Sequence, residues 1–175
     1  VERAWKAGIV VVVAAGNNGR DNSMGTNGYG TIGSPGNSPW ALTVGAMRDM
    51  STASRADDKI ASYSSKGPTA LDHVVKPDLV APGNAIVSGL AGTGSTLAAS
   101  YVSKIVQRSY FLPGQSGNST YFRLSGTSMA TPVVAGAAAL QVGVPVVPGA
   151  TSGTHTVQFV VPTNILPQGG GLPVR

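Results

Sequence analysis

Two short segments hold the residues best suited to chemistry. One is Gly126-Thr127-Ser128-Met129-Ala130-Thr131-Pro132, where small residues crowd a hydroxyl at the start of an apolar helical stretch, Val133 to Leu140. Pro132 suits the first turn of that helix, where a missing N–H costs nothing. A serine at a helix start has free backbone N–H groups and the positive end of the helix dipole beside it. Both stabilise negative charge developing on a substrate oxygen. The same Ser128 could instead simply cap the helix. The other segment is Ala14-Ala15-Gly16-Asn17, at the end of an apolar run that begins at Ile9. The Asn17 carboxamide can donate to an oxyanion without bringing a charge of its own, and the end of a buried strand would hold it rigidly. Asparagine is also an ordinary turn residue.

Together these segments resemble the subtilisin-like serine proteases, the subtilases. Val11-Val12-Val13-Ala14-Ala15-Gly16-Asn17 is similar to the family's oxyanion-hole strand, and Gly126 to Pro132 to its nucleophile motif. Between them, Ser34-Pro35-Gly36-Asn37-Ser38-Pro39-Trp40-Ala41-Leu42-Thr43-Val44-Gly45-Ala46, Ser62-Tyr63-Ser64-Ser65-Lys66-Gly67-Pro68 and Lys76-Pro77-Asp78-Leu79-Val80-Ala81-Pro82-Gly83 match the family in order and spacing. The resemblance covers residues 1 to 140. It implies Ser128 as nucleophile, Asn17 as oxyanion donor, and Ala14, Ala15 and Gly16 as the lining of the pocket for the side chain before the scissile bond.

The reaction implied is acyl transfer on a polypeptide substrate. It needs a histidine base and an aspartate, which subtilases carry upstream of the asparagine, so both are expected before Val1 in the other half of the same catalytic domain. The chain opens Val-Glu-Arg-Ala-Trp-Lys, without a legible targeting signal, and reads as starting inside a larger domain. His73 lies in a loop and His155 in the uncharged tail, and neither sits in a His-Gly-Thr-type motif. Alternatives to a serine endopeptidase fragment are a weak serine esterase and a noncatalytic peptide-binding fragment. The resemblance also implies a secreted or extracytoplasmic protein that requires no cofactor. Many subtilases bind calcium, for which Asp21, Asn22, Asp57 and Asp58 offer oxygens at no diagnostic spacing.

These side chains need a scaffold. The run Ile9-Val10-Val11-Val12-Val13-Ala14-Ala15 lacks polar alternation, as a strand covered on both faces requires. Residues 1 to 7 before it read as the end of a helix closed by Gly8. A helix feeding such a strand predicts an α/β fold: three layers, a mostly parallel sheet with helices on both faces, incomplete at the N-terminus. Trp40 to Ala46 reads as a second buried strand, Ile60 to Ser65 as a short exposed one, and Lys76 to Gly83 as an extended piece at a sheet margin. Residues 88 to 120 give no clear assignment. Val133 to Leu140, apolar on every side, predicts a centrally buried helix. Beyond Leu140, Pro145, Pro148, Pro162 and Pro167 break any helix, and residues 125 to 174 carry no Asp, Glu, Lys or Arg in a chain that is 11% charged. Residues 141–175 therefore read as a divergent tail of frame-shifted or rearranged origin, or as an extension with a strand over Thr154 to Val161.

Composition excludes several classes. With no cysteine among 175 residues there is no disulfide scaffold, thiolate metal site or cysteine nucleophile. The longest apolar run, Ile9 to Ala15, falls far short of the roughly 20 residues a membrane-spanning helix needs. A net charge of +5 comes from scattered Lys and Arg without interleaved aromatics, which argues for solvated surface and against a nucleic-acid partner. Gly28-Tyr29-Gly30-Thr31-Ile32-Gly33 satisfies G-x-G-x-x-G, but no strand precedes it and Ser34-Pro35 follows where a helix should begin. Asn118-Ser119-Thr120 has the N-glycosylation pattern.

Overall fold

The computed structural model describes residues 1–92 and 94–141. Helix α1 (Glu2–Lys6) is a short amphipathic turn with an exposed Glu2–Lys6 pair at 2.6 Å, and the chain leaves it through Gly8 at φ +84°, the left-handed exit expected there. Trp5 of α1 packs on Trp40 with ring centroids 4.7 Å apart.

Strand β2 (Leu42–Arg48) organises the first sheet. It pairs in parallel with β1 (Val12–Ala14) through Val12↔Leu42 to Ala14↔Val44, and on its other edge in parallel with β4 (Leu79–Pro82) through Val44↔Leu79 to Met47↔Pro82. A two-residue β3 (Lys59–Ile60) adds an antiparallel pairing at the far end of β2. The expected strand over Ile9 to Ala15 is therefore shorter. Val11 to Ala14 are half-buried, while Ile9 and Val10 are 58% and 49% exposed, because β1 has a strand partner on one edge only among the described residues. Ile60 to Ser65 also departs from expectation. Only Ile60 is in a strand, and the chain then turns so that Ser64 and Ser65 are buried under the β1–β2 end of the sheet.

Residues left unassigned in the sequence build a second, antiparallel sheet. Its order is β5 (Ile86–Gly89), β7 (Asn118–Leu124), β6 (Ile105–Gln107). A five-residue helix α2 (Thr96–Ser100), capped by the Ser95 hydroxyl accepting the Ala98 N–H, contributes Ala98 to its core beside Ile105 and Phe122. Asn118 opens β7 in an exposed position.

Helix α3 (Thr127–Gln141) follows β7 directly and lies on β1, β2 and β4. Ala130 and Val134 join Val44, Ala46, Ala61 and Ala81 in the main core, and burying a side chain the size of Val44 contributes about 1.5–3 kcal/mol. Two expectations change here. The helix starts at Thr127, so Pro132 lies inside it and removes the N–H that would have reached the Ser128 carbonyl. Nor is the helix buried all round: Val133 and Leu140 are 45% and 43% exposed, since the sheet covers one side only. The tail, with its expected strand over Thr154 to Val161, and His155 lie outside the described residues.

A mixed sheet, an overlying helix and a flanking antiparallel sheet make an α/β fold.

Candidate active site

Asn17 and Thr127 meet across the top of the first sheet. Asn17 emerges just past β1, and its Oδ1 accepts the Thr127 backbone N–H at 2.9 Å and the Thr127 hydroxyl at 3.1 Å. A backbone N–H can only donate, so the atom facing it must be the amide oxygen, and the Nδ2 donor is turned the other way. Thr127 Oγ1 also accepts the Gly16 N–H at 3.2 Å. Thus one threonine fixes both residues of the turn that follows β1. The arrangement settles the role of α3's first residues: the orphan N–H at Thr127 is capped from across the molecule by Asn17, so Ser128 is not the helix cap.

Ser128 stands next, as the second residue of α3, and is exposed. Among the described residues its hydroxyl makes no hydrogen bond and its backbone N–H meets no acceptor. Serine hydroxyl, free N–H and outward-turned carboxamide donor therefore share one helix start, with the positive end of the helix macrodipole behind them. This is the equipment for attacking an electrophilic carbon and holding the oxyanion that results.

The turn itself is braced from below. Gly16 takes φ +107°, which only glycine adopts without strain, and a Cβ there would come within 2.8 Å of Ser65 Oγ. Ser65 is buried, donates its N–H to the Gly16 carbonyl at 2.9 Å, and accepts the Asn18 N–H on its hydroxyl at 3.1 Å. Of the residues expected to line a substrate pocket, Ala14 and Gly16 are half-buried and Ala15 is fully buried, its carbonyl accepting the Gly33 N–H at 3.0 Å. That contact ties the Gly28 to Gly33 loop to the end of β1, and this loop has neither the preceding strand nor the following helix of a nucleotide site.

Thr127 and Ser65 were not singled out from the sequence. Thr127 had a signal, since it immediately precedes the serine, but the partner that gives it a role is 110 positions away. Ser65 had none.

The other candidates do not converge on this turn. His73 is exposed in a loop at φ +54°, and the neighbouring Asp72 carboxylate accepts the Thr69 hydroxyl, which lowers its pKa below the usual carboxylate value. Asp21 and Asn22 accept local backbone N–H groups from Ser23 and Asn27, and Asp57 accepts the Thr52 hydroxyl. Among the described residues no three His, Asp or Glu side chains gather as a metal site. No helix among them is long and apolar enough to cross a membrane.

The chain is similar to known serine proteases. Serine protease AprX of Bacillus subtilis (strain 168) is 48% identical over 140 residues, which is 80% of this chain and 27% of that protein. Subtilisin E of the same organism is 35% identical over 140 residues, 80% of this chain and 25% of that protein. The chain thus spans about a quarter of the curated relatives it matches. Among solved structures, the S41 psychrophilic protease superposes with a TM-score of 0.51 at 28% identity, covering 79% of this chain and 35% of that one. The Peptidase_S8 model of the subtilase family matches residues 1–153, most of the chain, and the chain therefore belongs to the subtilase family.

Proposed function

We propose that this chain is the nucleophile-bearing part of a secreted serine endopeptidase. The observation that supports it most is the Asn17 carboxamide held through its oxygen by Thr127, the residue before Ser128 at the start of α3, with its N–H₂ unpartnered among the described residues. In this reading Ser128 Oγ bonds to the scissile carbonyl carbon as its proton passes to a histidine. The carbonyl electrons move onto oxygen, where the Asn17 Nδ2 and the Ser128 N–H stabilise them. Collapse breaks the C–N bond, and the histidine returns the proton to the leaving amine. Water then cleaves the acyl ester and restores Ser128. Ala14, Ala15 and Gly16 border the pocket for the side chain before the scissile bond.

The histidine and its aspartate belong to the chain preceding Val1. The edge of β1 that has no strand partner among the described residues, the exposed Ile9 and Val10 beside it, and the exposed Val133 and Leu140 on α3 are the surfaces on which that half of the domain would pack. No step requires a metal ion.

Fluorophosphonate labelling tests the assignment, because the reagent marks a serine only where a base activates it. The 175-residue chain should label slowly, and a chain extended upstream to include the aspartate and histidine should label rapidly at Ser128. Rapid labelling of the short chain, or none of the extended one, would overturn the proposal. Ester hydrolysis by the short chain that depends on Ser128 would point to an esterase instead.

A second expected result concerns Thr127. Thr127→Val keeps the backbone N–H but removes the hydroxyl shared by Asn17 and Gly16, so kcat for peptide hydrolysis by the extended chain should fall about tenfold. Thr127→Ser should keep most of the rate. A valine variant as fast as the parent would show that the backbone N–H alone orients the carboxamide.

A further inference from the structure

Behind the nucleophile turn, a single carbonyl receives two donors. Gly83 follows β4, and its oxygen accepts the Gly126 N–H at 2.9 Å and the Tyr63 hydroxyl at 2.9 Å. A carbonyl has two lone pairs, so both bonds can form fully. Gly83 has little room to move: its own N–H donates to the Met47 carbonyl at 3.1 Å, and a Cβ on it would come within 2.8 Å of both the Gly126 carbonyl and Ala46 Cβ. The residue is wedged between β2 and the turn that leads into α3.

Tyr63 comes from the loop after β3, and its ring packs against the main core. A phenylalanine would fill the same space, so packing does not account for the hydroxyl. What the hydroxyl adds is direction, a second constraint on the Gly83 oxygen beside the Gly126 N–H. Burial raises the tyrosine pKa above its ordinary value, with the Gly126 backbone opposing, so the group remains a protonated donor across the neutral range.

We propose that Tyr63 is a positioning residue of the acyl-transfer site. Its hydroxyl holds the Gly83 carbonyl, Gly83 holds Gly126, and Gly126 sets the start of α3 on which Thr127 orients Asn17 and Ser128 is presented. The inference rests on the serine peptidase reading above.

The test is Tyr63→Phe in the chain extended to contain the aspartate and histidine, measured by peptide hydrolysis, fluorophosphonate labelling and thermal unfolding. We expect kcat and the Ser128 labelling rate to fall about three- to tenfold with KM within about twofold of the parent. Combining Tyr63→Phe with Thr127→Val should give less than the product of the two separate losses, because both act on one turn. A merely structural hydroxyl would lower the melting temperature and leave kcat unchanged, and that result, or strict multiplicativity in the double variant, overturns the proposal. The parent protein separates the two levels. If it is not labelled at Ser128, the peptidase reading fails and the Tyr63 role with it; if it is labelled and Tyr63→Phe matches it in kcat and labelling, only the Tyr63 role fails.

Discussion

Ser128→Ala in the chain extended to contain the aspartate and histidine should lower kcat for peptide hydrolysis by about 10⁶-fold, a magnitude carried over from subtilisin, and abolish fluorophosphonate labelling. The loss should come without loss of fold. Ser128 is exposed and its hydroxyl has no partner among the described residues, so alanine removes no contact, and stability should stay within about 0.5 kcal/mol. Asn17→Leu offers the informative contrast. It should cost less activity, about 10²–10³ in kcat on the subtilisin scale, yet more stability, about 1 kcal/mol, because Asn17 also caps the Thr127 N–H of α3. Kinetics and urea unfolding on the two variants should therefore rank them in opposite orders. An Asn17→Leu protein as active as the parent would remove the carboxamide from the mechanism, and a Ser128→Ala protein that still turned over peptide would remove the serine.

The largest stability effect is expected at a place remote from the chemistry. Lys76 is buried, its side chain only 2% exposed, and its Nζ lies 2.7 Å from Asp78 Oδ2 and 2.7 Å from the Ala41 carbonyl. The same Asp78 oxygen accepts the Thr43 N–H at 2.6 Å, and the Asp78 N–H donates to the Thr43 carbonyl at 2.9 Å. Removing the carboxylate strands a buried ammonium on one carbonyl and frees the Thr43 N–H at the entry to β2. Asp78→Ala should therefore destabilise the protein by about 3–5 kcal/mol in urea unfolding. Lys76→Met should cost less, since Asp78 keeps its Thr43 contacts and is 24% exposed to water. The pair matters to the site through β2: Thr43 Oγ1 donates to the Gly36 carbonyl at 2.7 Å, and Gly36 lies so close to the Ala14 carbonyl that a Cβ would come within 2.8 Å of it. A loss under about 1 kcal/mol for Asp78→Ala would show that the lysine finds water or another partner.

The elements around the site divide by how local their causes are. Strand β2 and the existence of α3 were legible because an apolar run or a stretch of small apolar residues states its own need for burial. Strand β1 was legible in kind and not in length, since pairing extends only where β2 offers a register, from Val12 to Ala14. The second sheet was not readable, as its strands of three to seven residues alternate with short 3₁₀ turns and a five-residue helix, each too brief to show a period.

By itself, the sequence determined the chemical types and where they sit along the chain: a serine among small residues before a helix, an asparagine after a strand, and the motifs shared with subtilases. Only the tertiary structure decided that Pro132 lies within α3, that Asn17 and not Ser128 caps that helix, that Thr127 is the residue holding the carboxamide, and that Lys76 is buried against Asp78. The physical reason is the range of the forces concerned. Periodicity and turn chemistry act over a few neighbouring residues and are written locally, whereas the hydrogen bonds that aim Asn17 join residues 110 positions apart, and no local pattern encodes such a meeting.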